Sequence, residues 1–118
     1  LPPPVIPVLP IAYGLGAVMV VIHAGGAYLG LRGESIPKAP GTYISIYEAL
    51  YYAAMMPLLA GSPLIAPLAL FAVIHWAGAY AYYRGYLGRL STPRRLRLYG
   101  VYELVELGFI LIIMASLA

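Results

Sequence analysis

His23 and His75 each stand nine residues ahead of an arginine, Arg32 and Arg84 respectively. On a helix rising about 1.5 Å per residue, nine residues cover about 13 Å. Two imidazoles so placed share one depth, near the middle of a bilayer. Ionisable side chains at that depth are costly and turn toward the interior of a bundle. On diagonally opposed helices the two rings could hold the iron of a haem b, one on each side. A flat macrocycle needs room, and Gly16, Gly26 and Gly30 recur on the His23 face at helical spacing, while Gly78 lies three residues after His75. Arg32 and Arg84 lie at one end, where propionates would be, although rotated about 180° from the histidines.

Three glutamates form the second group. Glu48 and Glu103 each follow a tyrosine, and Glu106 lies about one turn deeper. Carboxyls at these positions could relay protons, bind a quinone hydroxyl or accept a hydrogen bond from a histidine. Each feature has a plainer use. A carboxylate near a helix start is favoured by the helix dipole, and a buried histidine can bond to a neighbouring helix. A face of small residues lets helices pack closely without any cofactor. His23 and His75 with Glu48 and Glu103 could form a two-metal site, but the paired Glu-x-x-His spacing of di-iron bundles is absent. The 12 tyrosines read mainly as an interfacial belt, and Trp76 as packing.

The elements that must position these groups are apolar runs at 10–31, 43–60, 64–83 and 98–118, each about the 17–25 residues that cross a bilayer. Of the 118 residues, 63% are hydrophobic and 9% charged; a soluble domain carries roughly 25% charged residues. Lipid is therefore the expected solvent for most of the surface. Gly61-Ser62-Pro63 predicts a tight turn between the second and third runs. Arg32 and Lys38 lie in the first connection, and Arg84, Arg89, Arg94, Arg95 and Arg97 in or beside the third. The positive-inside rule then makes those connections cytoplasmic and puts both termini outside a multi-pass cell-membrane protein. Residues 1–9 are too rich in proline for the apolar core of a signal peptide.

The chain repeats itself. Residues 21–33 read VIHAGGAYLGLRG and residues 73–85 read VIHWAGAYAYYRG, with eight of 13 positions identical. Tyr47-Glu48 and Tyr102-Glu103 continue the match. The expected fold is an all-α integral membrane domain spanning residues 1–118. Its four transmembrane helices come from a duplicated two-helix hairpin, repeat one at 1–60 and repeat two at 61–118. Two-span units share an orientation, so they form parallel repeats about a pseudo-two-fold axis along the membrane normal.

Composition narrows the function. A net charge of +3 is too small and dispersed for nucleic-acid binding. Without cysteine there is neither a disulfide framework nor a thiolate metal site. The lack of Asn, Gln and Cys fits a hyperthermophile, and an archaeon is the expected source. No phosphate loop, catalytic serine motif or EF-hand occurs, and no soluble substrate is evident, so the chain is at most an electron-transfer subunit of a larger enzyme. The two histidines resemble the axial ligands of membrane b-type cytochromes as a class. The expected function is a small respiratory or electron-transfer subunit, binding haem b between His23 and His75 and interacting with quinone. Its partners would be lipid and other subunits of a membrane complex. The alternatives are a cofactor-free accessory subunit and a small proton or cation channel or transporter.

Overall fold

The computed structural model describes residues 7–85 and 92–118. The expectations attached to Arg89 and to residues 1–6 lie outside the described residues. Four helices follow one another: α1 (Val8–Leu31), α2 (Lys38–Leu59), α3 (Ile65–Tyr83) and α4 (Pro93–Ser116).

Proline fixes where they start. Pro7 and Pro37 immediately precede α1 and α2, Pro67 lies in the first turn of α3, and Pro93 opens α4. In a first turn the N–H that proline lacks has no helical partner anyway. Thr92 caps α4, its Oγ1 accepting from the Arg95 N–H at 3.2 Å. The helix therefore runs five residues past the apolar stretch predicted for it, through Arg94, Arg95 and Arg97, back to its cap.

Glycine fixes two ends. Arg32 and Arg84 close α1 and α3, and each is followed by a left-handed glycine, Gly33 at φ 73° and Gly85 at φ 72°. The Gly33 N–H donates to Gly30 O at 2.8 Å and the Glu34 N–H to Leu29 O at 2.9 Å. This is the paired bonding of a left-handed helix cap. The Gly85 N–H makes the equivalent bond to Tyr82 O at 3.1 Å. Between α2 and α3 the Ser62 N–H donates to Leu59 O at 2.9 Å, which turns the chain tightly as Gly61-Ser62-Pro63 predicts.

The helices pack in pairs, α1 along α4 and α2 along α3, with sparser contact between α1 and α2. Glycine sets the first pairing. A Cβ on Gly30 would stand 2.7 Å from the Gly100 Cα, and one on Gly100 would stand 2.6 Å from the Leu31 nitrogen. The two backbones touch, which is how small residues join membrane helices. Across the pairs, the Tyr47 hydroxyl donates to Leu15 O at 2.7 Å. Met19, Tyr52, Met55, Leu68, Ile110 and Ile113 fill the core.

The outer surface is apolar. Val21, Leu50, Leu70 and Val105, one from each helix, are 72%, 64%, 61% and 62% exposed. By length and composition α1, α3 and α4 can cross a membrane, with mean hydropathies of 1.9, 1.4 and 1.8. α2 is 22 residues long but carries Ser45, Glu48 and several tyrosines, and it is not among these apolar spans.

Candidate metal centre

Each helix supplies one group to a buried cluster at mid-bundle: His23 from α1, Glu48 from α2, His75 from α3 and Glu106 from α4. His23 and His75 each lie eight residues before the end of their helix. One potential ligand atom from each of the four lies within 4.8 Å of the other three. His23 Nε2 is 2.6 Å from Glu106 Oε2. His75 Nε2 is 2.9 Å from that same oxygen and 2.7 Å from Glu48 Oε2. The imidazole centroids are 6.1 Å apart, with planes inclined by 58°.

The other ring nitrogens decide the chemistry. His23 Nδ1 is 2.8 Å from Met19 O, and His75 Nδ1 is 2.7 Å from Phe71 O, each one turn back on its own helix. A carbonyl only accepts, so both Nδ1 atoms carry their protons and donate. A neutral ring then presents a bare Nε2 lone pair to a carboxylate oxygen, and two acceptors repel. Either a proton or a cation must lie between them. Donation from Nδ1 to a carbonyl is also how proteins orient histidines that bind metal.

Several buried atoms lack hydrogen bonds among the described residues: Glu106 Oε1, Glu103 Oε2, and the hydroxyls of Tyr102 and Tyr51. The first three come from α4 beside the cluster. Unsatisfied buried polar atoms in such a concentration call for an ion, a water or a ligand. Three carboxylates meet two imidazoles here, and such charge is sustained in an apolar interior only when neutralised.

Glu48, expected more as a helix-start residue, is buried and bonded to His75. Glu103 is 2% exposed and stands 3.6 Å from His23. Gly26 makes space for it, since a Cβ there would be 3.1 Å from its carboxyl carbon. Gly16 faces Met114, and Gly30 faces Gly100. These three glycines therefore pack α1 against α4. Gly78 has no atom within 4 Å of its would-be Cβ and borders a cavity. Arg32 is engaged at the surface, by Glu34 at 3.1 Å and the Tyr28 hydroxyl at 2.7 Å.

Tyr52 escaped the sequence reading, which assigned most tyrosines to a belt. It is fully buried, and its hydroxyl donates to Glu106 Oε2 at 2.8 Å. Its ring centroid is 4.8 Å from that of His75. The available signal was its position four residues after Glu48, on the same helix face.

The fit to an ion differs from the fit to a macrocycle. Glu106 Oε2 stands 2.6 Å from His23 Nε2 and 2.9 Å from His75 Nε2, with the Tyr52 hydroxyl bonded to it, so a macrocycle held by both histidines would have to displace that carboxylate. A single ion needs far less room. Tetrahedral bonds of roughly 2.0–2.2 Å set neighbouring ligand atoms roughly 3.4 Å apart, so the present contacts of 2.6, 2.7 and 2.9 Å would have to open to admit it. Buried His23 and His75, with their acidic neighbours, can therefore bind a metal or cofactor. Comparison with family models, curated proteins and solved structures finds no match to this chain.

Proposed function

We propose that this chain is a four-span membrane protein that holds one divalent first-row metal ion on His23, Glu48, His75 and Glu106. It serves as a metal-bearing subunit of an electron-transfer complex. The observation that carries the reading is the pinning of both Nδ1–H groups to backbone carbonyls, which leaves both Nε2 lone pairs aimed at carboxylate oxygens. Two imidazole nitrogens and two carboxylate oxygens suit iron, zinc or manganese. Iron is the choice for electron transfer.

Duplication of a hairpin is part of the proposal. Equivalent positions carry equivalent contacts: Nδ1 to the carbonyl one turn back, Arg-Gly at the helix end, and His75–Glu48 beside His23–Glu103. Swapping the two hairpins exchanges the α1–α4 pair with the α3–α2 pair, as a two-fold axis requires. Glu106 breaks the pattern, since Tyr51 stands at the matching position of repeat one. The second span is supported by Leu50 and Ile46, which put an apolar face of α2 outward.

Elemental analysis of the detergent-purified protein, with its oxidised and reduced optical spectra, tests this. About one iron, zinc or manganese per chain is expected, lost in His23→Ala and in His75→Ala. An intense haem spectrum that depends on both histidines would replace the ion with haem b. Neither metal nor chromophore would leave a proton path as the better reading. That alternative is favoured by one observation, the continuous contact from Tyr52 through Glu106 to both imidazoles.

A further inference from the structure

A cavity of about 620 Å³ lies between the two helix pairs. Glu34, Ser35 and Arg95 line it together with Glu48, His75 and Glu103. Small-molecule sites have volumes of roughly 300–1,000 Å³, apolar and aromatic walls, and a few convergent polar groups. This cavity has all three, with Leu29, Ile44 and Ile74 among its apolar walls and Tyr82, Tyr99 and Tyr102 among its aromatic ones.

Two polar atoms here lack hydrogen bonds among the described residues. Glu103 is 2% exposed, and its Oε2 accepts no hydrogen bond, His23 Nε2 standing 3.6 Å away. The Tyr102 hydroxyl is buried and makes no hydrogen bond either. A carboxylate oxygen accepts and a phenol donates. A hydroxyl can serve either atom, giving its proton to Glu103 or taking one from Tyr102. Glu48 and His75 line the cavity from the other helix pair. Gly78 leaves open space on the wall, where a flat ring can lie against the backbone. Apolar walls and outward-facing apolar helices select a molecule that partitions into lipid.

We propose that this cavity binds a lipid-soluble hydroquinone, one ring hydroxyl held by Glu103 Oε2. The proposal rests on the reading of the chain as a membrane protein with a central His/Glu site, and it supplies the ligand class for that site. It does not depend on the metal being present.

The test uses the full chain in detergent, stripped of metal by chelation and kept anaerobic, with tetramethylhydroquinone and its dimethyl ether as probes. Calorimetry should show saturable binding of the hydroquinone and at least tenfold weaker binding of the ether, which lacks the donor. Glu103→Gln should weaken hydroquinone binding about tenfold or more, since it replaces an acceptor facing a donor. Gly78→Leu should block binding by filling the wall without touching a carboxylate. Size exclusion and circular dichroism check that both variants fold. Should either misfold, the comparison of hydroquinone with ether on the unaltered chain still decides. Absence of hydroquinone binding, or equal binding of the ether, overturns the proposal. So does unchanged affinity in a folded Glu103→Gln or Gly78→Leu protein. Metal content is read separately on unstripped samples. Loss of the ion with retained hydroquinone binding would sink the metal reading alone, and the converse would sink only this one.

Discussion

Glu106 Oε2 lies 2.6 Å from His23 Nε2, in a contact where both side chains are wholly removed from solvent. His75 and the Tyr52 hydroxyl converge on that same oxygen, at 2.9 Å and 2.8 Å. One carboxylate on α4 thus ties together groups from the other helix pair and from α1. Replacement by Gln keeps the shape and removes the charge. Glu106→Gln should cut bound metal from about one per chain to under about a tenth, while the chain still elutes as a folded species. Metal content that stays near one per chain would show that the ion is held elsewhere.

Tyr52 donates to Glu106 Oε2 and lies beside the His75 ring, so it acts on the ion through these two residues. Loss of its hydroxyl removes one hydrogen bond, worth about 1 kcal/mol of stability. Loss of an outer partner of a metal ligand weakens binding by about 10–100-fold. Tyr52→Phe should therefore lower metal affinity by that factor in a chelator competition, with a melting temperature only slightly reduced. A change in melting temperature without any change in affinity would make Tyr52 a packing residue.

Glycines on α1 and α4 divide by what faces them. A Cβ on Gly100 would stand 2.6 Å from the α1 backbone, whereas one on Gly14 would have no atom within 4 Å. Gly100→Ala must push α4 off α1, at about 1–3 kcal/mol for such overpacking. Gly14→Ala adds a methyl to an open helix surface and should stabilise by about 0.5–1 kcal/mol. Thermal unfolding in detergent should therefore shift in opposite directions for the two variants. A fall of equal size for both would mean that α1 and α4 do not meet at Gly30 and Gly100.

Much of this architecture is legible in the sequence because the signals are local. Apolar runs, Gly61-Ser62-Pro63 and the Arg-Gly ends each act through their own backbone, and the helices follow them. The shared depth of His23 and His75 is legible for the same reason. Which carboxylate would lie between them is not. Glu103 is the repeat partner of Glu48, yet Glu106 makes the short contacts, because Glu103 turns to the Gly26 face of α1. That choice depends on the rotation of α4, which the touching backbones of Gly30 and Gly100 set. Tyr52 was hidden because a tyrosine near an apolar run has two uses, and composition favours the interfacial one.

The topology hinges on α2, the helix whose polar side chains keep it from reading as an apolar span. Ser45, Glu48, Tyr51 and Tyr52 are buried inward, against α3 and the cluster. Its hydropathy is thus lowered in part by residues that packing within the protein buries, while Ile46 and Leu50 face out. A helix so divided can cross a bilayer because its polar groups are satisfied within the protein. If α2 crosses, the α1–α2 and α2–α3 connections lie on opposite sides. The chain has no cysteine, so single replacements report cleanly. Ser35→Cys, in the first connection, and Ser62→Cys, in the second, should react with a membrane-impermeant maleimide from opposite faces of sealed vesicles. With the Arg-bearing connections inside, as the positive-inside rule proposes, in right-side-out vesicles Ser62→Cys should label and Ser35→Cys should label only after permeabilisation. Labelling of both without permeabilisation would place α2 on one side of the membrane. The cluster would then lack a membrane-embedded fourth ligand, and Glu48 could not serve the ion within a bilayer.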